Sequence, residues 1–275
     1  MAGAFSKIRY WYKYIPTALT LGNSLCGFTA ILYALQVFAV TSDGVTHTVQ
    51  EVLSYSAWLI CGAMIFDMLD GWTARLLNAT SEYGAQMDSL ADMVTFGVAP
   101  AVMVSVMAQT NALVWLPPRI TWILCAVYVG CAALRLALYN VKAARGETGH
   151  GAFDGLPSPG AAAAVASLVL IYGTPEKEYN LIAQALPFYS GVLGLLMVSK
   201  IPYMHFGYWL GSRRFYKLKM LALIVFGIAF ARNPIMVAAI AINLYVLSGP
   251  IGIAMRKLRR TTELPNTDEQ TVHAK

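Results

Sequence analysis

Apolar stretches of about twenty residues recur along this chain, and that recurrence constrains its fold more than any other feature. A helix needs about 20 residues to cross a hydrocarbon core roughly 30 Å thick. Lipid offers no partner for backbone N–H and C=O groups, so each stretch must satisfy its own as an α-helix. Eight such stretches can be read, at 17–40, 52–76, 85–109, 119–141, 156–174, 180–199, 217–231 and 234–254. Only 12% of the 275 residues are charged, about half the share of a soluble domain. The expectation is an all-α integral membrane protein of about eight transmembrane helices, with one membrane domain over 16–255. Residues 4–15 (AFSKIRYWYKYI) mix aromatics with Lys and Arg, so 1–15 reads as an interfacial amphipathic helix. The end of the chain, 256–275, reads as a tail, polar beyond Arg260 and expected to be disordered.

Charge placement gives an orientation. With eight spans, fifteen Lys and Arg residues up to Arg260 fall on the side that holds both termini, and only Arg119, Lys177 and Arg232 fall on the other. The positive-inside rule makes the first side cytoplasmic. The net charge of +6 then reflects topology and attraction to anionic lipid. Basic residues spread over several loops do not form a nucleic-acid surface. Cys26, Cys61, Cys125 and Cys131 all lie in apolar spans without a C-x-x-C pair, which suits buried small hydrophobes.

Within this apolar chain stand four aspartates, Asp67, Asp70, Asp88 and Asp92, spaced D-x2-D-G-x2-A-R-x8-G-x3-D-x3-D. An unpaired carboxylate at mid-membrane depth costs about 2.5–3.5 kcal/mol, so four need an offsetting partner. Spacings of three and four place each pair on one helical face, and the short turn between them lets the two faces converge. An all-oxygen cluster suits a hard cation, Mg²⁺ or Mn²⁺, and four carboxylates can hold two ions. Gly71 and Ala74 share the face of Asp67 and leave a slot beside the acids. Arg75 adds a cation where a diphosphate would sit, and Gly84 keeps the opposite wall low. A helix pair held by Asp–Arg salt bridges leaves two acids unpaired. A cation-coupled transporter needs neither the slot nor Arg75, and no inverted repeat is found.

The pattern Asp67–Asp70–Gly71–Ala74–Arg75–Gly84–Asp88–Asp92 resembles the signature of the CDP-alcohol phosphatidyltransferase family. The resemblance implies a membrane enzyme that moves a substituted phosphoryl group from a CDP-linked donor to an alcohol and releases CMP. It implies metal binding by Asp67, Asp70 and Asp88, with Asp92 touching the second metal and acting as base on the acceptor hydroxyl. Gly71, Arg75 and Ser81 would line the nucleotide and diphosphate pocket. It also implies a six-helix catalytic core and a homodimer.

Three further stretches resemble the bacterial and archaeal-type phosphatidylserine synthases within that family: IPTALTLGNSLCGFTAI (15–31), ALRLALYNV (133–141) and FDGLPSPGAAA (153–163). MVSKIPY (197–203) is a weaker match. In the first, Pro16-Thr17 stands where Pro-Asn is common, so Thr20 and Asn23 are preferred to Thr17 as donor contacts. The implied reaction takes phosphatidyl from CDP-diacylglycerol to L-serine at a plasma-membrane site open to the cytoplasm. Serine brings a carboxylate, and Arg135 is the one basic residue well inside a span, with Asn140 and Ser158 as companions. An acceptor such as glycerol-3-phosphate or inositol phosphate would call for more basic residues, and an archaeal-type lipid donor leaves no mark in the sequence.

Overall fold

The computed structural model describes residues 14–43, 48–77, 81–110, 115–146, 153–172, 180–203 and 226–262. Among them, six apolar helical segments are long enough to cross a membrane. The chain is an all-α integral membrane protein. The expected interfacial helix lies outside the described residues except for Tyr14 and Ile15, which lead into the first span. Most of the expected span at 217–231 lies outside them too.

Helix α1 (Ile15–Asp43) and α2 (Val49–Leu76) form an extensively packed pair. Small residues let the two backbones approach, and the Ser56 hydroxyl donates to the Ala30 carbonyl at 2.7 Å, the kind of interhelical bond that lipid favours. Thr48 and Glu51 close the start of α2 reciprocally, as a capping box does. Arg75 sits in its last turn, where a cation suits the helix dipole.

The third span is one helix in three parts: α3 (Glu82–Asp92), a π-helical turn over Met93–Val98, and α4 (Ala99–Thr110). Pro100 explains the break. It has no N–H for the carbonyl four residues earlier, and its ring crowds that carbonyl. That carbonyl belongs to Phe96, and the fully buried Tyr128 of α5 (Pro118–Ala144) donates its hydroxyl to it at 2.9 Å. The widened turn begins immediately after Asp92.

Helix α6 (Ser158–Tyr172) is the most enclosed element and packs against α2, α7 (Asn180–Val198) and α8 (Pro234–Thr262). It starts at Ser158, two residues after the start of the 156–174 span expected, with Pro157 just ahead of it and Pro159 in its first turn, where a missing N–H costs nothing. The preceding residues pair instead: β1 (Phe153–Asp154) runs antiparallel to β2 (Pro202–Tyr203). Gly155 has φ +85° and a Cβ there would lie 2.8 Å from the Ser199 carbonyl, so only glycine fits. The weakly matching MVSKIPY is thus the partner strand of FDGLPSP.

Helix α8 repeats the device of α4. Pro250 frees the Val246 carbonyl, and the buried Tyr203 hydroxyl donates to it at 3.1 Å. The helix runs to Thr262, so the first seven residues of the tail expected at 256–275 are helical. MRKLRR holds good helix formers.

Candidate active site

The acid motif occupies the end of α2 and the start of α3, and the structure brings three of its members together. Carboxylate oxygens of Asp67, Asp70 and Asp88 all lie within 4.8 Å of one another. Asp70 is buried, and Asp67 and Asp88 are half-buried. Asp70 Oδ2 and Asp88 Oδ1 are enclosed without a hydrogen-bond partner among the described residues. Three converging carboxylates with two orphaned oxygens can hold a divalent cation: the donor set is all oxygen and carries the opposite charge. The residues present therefore fit the metal that the motif implies.

Asp92 adjoins that group and is tied to α1 as well. One turn beyond Asp88, it is buried and accepts a hydrogen bond from Asn23 Nδ2 at 3.2 Å. Its carboxylate also lies within hydrogen-bonding range of Asp67. Of the four acids expected to converge, three are mutually close, and the fourth joins them through Asp67 while Asn23 ties it to α1. Asn23, expected as a donor contact, is fully buried and turned to Asp92. Thr95, in the π-helical turn, donates to the Asn23 carbonyl at 3.1 Å. It fills the space that a side chain at Gly27 would need.

Beside the acids lies a cavity of about 330 Å³. Its walls come from Pro16, Thr17 and Thr20 of α1, from Asp70, Gly71, Ala74 and Arg75 of α2, and from Ser81, Gly84, Ala85, Met87 and Asp88 around α3. The predicted slot is real: a Cβ on Gly71 would meet nothing within 4 Å. Ser81 caps α3, its hydroxyl accepting from Gly84 N at 3.0 Å. Arg75 is exposed and its Nε donates to the Gly71 carbonyl at 3.0 Å. Thr20 donates to the Pro16 carbonyl at 3.0 Å. Thr17, set aside on the sequence, lines the cavity; it is three residues before Thr20 and shares its face, a periodic signal that could have found it.

The residues assigned to a serine acceptor divide. Arg135 Nη1 donates to Ser158 Oγ at 3.0 Å, joining α5 to the start of α6. Ser158 is buried, and Arg135 Nε is enclosed with no partner among the described residues. Arg135 is also within electrostatic reach of Asp92. Asn140 goes elsewhere, its Nδ2 donating to Ser89 Oγ at 2.9 Å. Five residues separate it from Arg135, which turns it to a different face of α5, toward α3.

Comparison with known proteins places the chain among relatives. A family model described as CDP-alcohol phosphatidyltransferase matches residues 13–198. The chain is 38% identical over 197 residues to the CDP-diacylglycerol–serine O-phosphatidyltransferase of Bacillus subtilis (strain 168), covering 70% of this chain and 92% of that protein. It is 32% identical over 239 residues to the protein of the same name from Helicobacter pylori (strain J99), covering 86% of this chain and 89% of the relative. A third of that name, from Methanocaldococcus jannaschii, is 33% identical over 177 residues, or 62% and 77% of the two chains.

Proposed function

We propose, from the premise that this chain belongs to the CDP-alcohol phosphatidyltransferase family, that it transfers phosphatidyl from CDP-diacylglycerol to L-serine and releases CMP. The observation that carries the reading is the convergence of Asp67, Asp70 and Asp88, with two orphaned oxygens, against the cavity of Gly71, Ala74 and Ser81. The names of the relatives support serine as acceptor, and so does Arg135, the one Lys or Arg that is not exposed among the residues whose burial is described.

In this reading the three acids hold a divalent ion, Mg²⁺ or Mn²⁺; a second would draw Asp92 in from its place beside Asp67. Bound there, such ions supply charge neutralisation to the diphosphate and to the departing CMP. The protein's own groups do the rest. Gly71 and Ala74 leave room for the nucleotide, Arg75 faces the cavity as a fixed cation, and Thr17 and Thr20 close it from α1. Arg135 and Ser158 receive the acceptor. Asp92 takes the proton of the serine hydroxyl as its oxygen bonds to the phosphorus that carries the diacylglycerol. The bond from that phosphorus to the oxygen of CMP breaks, and CMP leaves with the electron pair. Asn23 holds one oxygen of Asp92, so the base is oriented before the acceptor arrives.

The same reading puts the active site and both termini on the cytoplasmic side of the plasma membrane, where the basic residues cluster, and makes the enzyme a homodimer. The test is CMP release by purified protein in detergent with CDP-diacylglycerol and Mn²⁺. Stimulation by L-serine, with phosphatidylserine formed, is the expected result. Stimulation by glycerol-3-phosphate or inositol phosphate instead would keep the reaction type and remove the serine assignment.

A further inference from the structure

Helix α8 lies beyond the stretch that the family model matches, which ends at residue 198. It nonetheless packs on α6, the helix that carries Ser158. Two contacts hold one of its side chains at the start of α6. The Tyr245 ring lies 5.5 Å from that of Tyr203 at 48°. Its Cε1 is 3.7 Å from where a Cβ on Gly160 would be, two residues after Ser158. Tyr203 is itself fixed, fully buried and bonded through its hydroxyl to the Val246 carbonyl. Gly249, one turn after Tyr245, leaves room for the Tyr203 ring. Two residues before Tyr245, Asn243 meets Tyr189 Oη at 2.5 Å and Ser167 Oγ at 3.4 Å, which ties α8 to α6 and α7. Tyr245 is therefore held in place by its surroundings.

Near this point Arg135 Nε is enclosed with nothing to donate to among the described residues, and the half-buried Tyr245 carries a phenol hydroxyl that can donate. A carboxylate offers two oxygens and can take a hydrogen bond on each. We infer that Tyr245 forms a further wall of the acceptor subsite beside Arg135 and Ser158, its hydroxyl donating to the acceptor's carboxylate. The guanidinium and the phenol lie within electrostatic reach of each other, as two groups meeting one anion must. Arg135 also reaches Asp92, so an acceptor gripped by its carboxylate has its hydroxyl on the side of the base. Tyr245 thereby helps separate an amino acid from an uncharged alcohol. The inference rests on the serine reading above.

Tyr245→Phe removes only the hydroxyl and keeps the ring packing. The full-length protein in detergent, with CDP-diacylglycerol and Mn²⁺, is assayed for CMP release against L-serine. The expected result is a KM for L-serine raised about tenfold, the effect of one hydrogen bond to a charged group. The KM for CDP-diacylglycerol and the Tm stay unchanged. Inhibition by L-serine methyl ester, whose carboxylate is capped, is expected to be the same in both proteins. An unchanged KM for L-serine, or equal weakening of serine and its ester, overturns the inference while the serine reading stands. A parent enzyme indifferent to L-serine overturns both.

Discussion

Asn23 donates its side-chain amide to Asp92 Oδ1 at 3.2 Å, joining residues 69 positions apart on α1 and α3. Both are buried. A hydrogen bond to a charged group is worth about 1.5–3 kcal/mol, or roughly 10–150-fold in rate if it is spent on orienting the base. Asn23→Leu is expected to lower kcat by that factor with little change in the KM for CDP-diacylglycerol. Steady-state kinetics against both substrates checks this. A fall in donor affinity with kcat intact would return Asn23 to the nucleotide pocket.

Asp92→Asn keeps the shape of the side chain and removes its basicity. General-base catalysis contributes about 10²–10⁴-fold, so turnover is expected to drop by at least that much. Donor binding persists in part, because Asp67, Asp70 and Asp88 form their group without Asp92. Binding of CDP measured by calorimetry separates the two effects. Parallel loss of binding and turnover would argue that Asp92 is chiefly a metal ligand.

Gly71 borders the cavity, and a Cβ there meets no atom within 4 Å. Gly71→Leu is therefore expected to fold normally and to gain helix propensity of up to about 1 kcal/mol. The added side chain projects into the space left for the nucleotide. CDP affinity is expected to fall at least about tenfold with the Tm unchanged or higher. Unaltered CDP affinity would place the nucleotide elsewhere.

Tyr128 and Tyr203 perform the same service for two proline breaks, at Pro100 and Pro250. Removing the first hydroxyl leaves the Phe96 carbonyl buried and without its side-chain donor. Tyr128→Phe is expected to destabilise the protein by about 1–3 kcal/mol, seen as a lower Tm in detergent. No loss of stability would mean that the π-helical turn satisfies that carbonyl by other means.

What the sequence revealed and what it hid follow from the range of each interaction. The acid triad was legible because spacings of three and four fix a helical face locally, and a short turn brings two such faces together. Gly71, Ala74 and Gly84 were legible for the same reason. The partner of Asn23 was not, since nothing in a single chain tells which of several distant polar residues an amide will meet. Only the resemblance of ALRLALYNV pairs Asn140 with Arg135; five residues apart they share no ideal helical face, and Asn140 meets Ser89. At Thr17 the Pro-Thr departure from the motif points away from the cavity, while the face it shares with Thr20 points into it. The third span reads as continuous over 85–109, and only packing shows that Pro100 breaks it, that Tyr128 answers the break and that the wide turn falls next to Asp92.

The central claim is that the acids of α2 and α3 grip a divalent ion that in turn holds the cytidine diphosphate group. Mn²⁺ titration followed by electron paramagnetic resonance, with and without CDP, tests it most directly. Linkage requires each ligand to tighten the other's binding by the same factor. The account predicts Mn²⁺ binding that CDP strengthens and that Asp70→Ala abolishes. Equal Mn²⁺ affinity in the parent and Asp70→Ala proteins, or CDP binding indifferent to Mn²⁺, would contradict it.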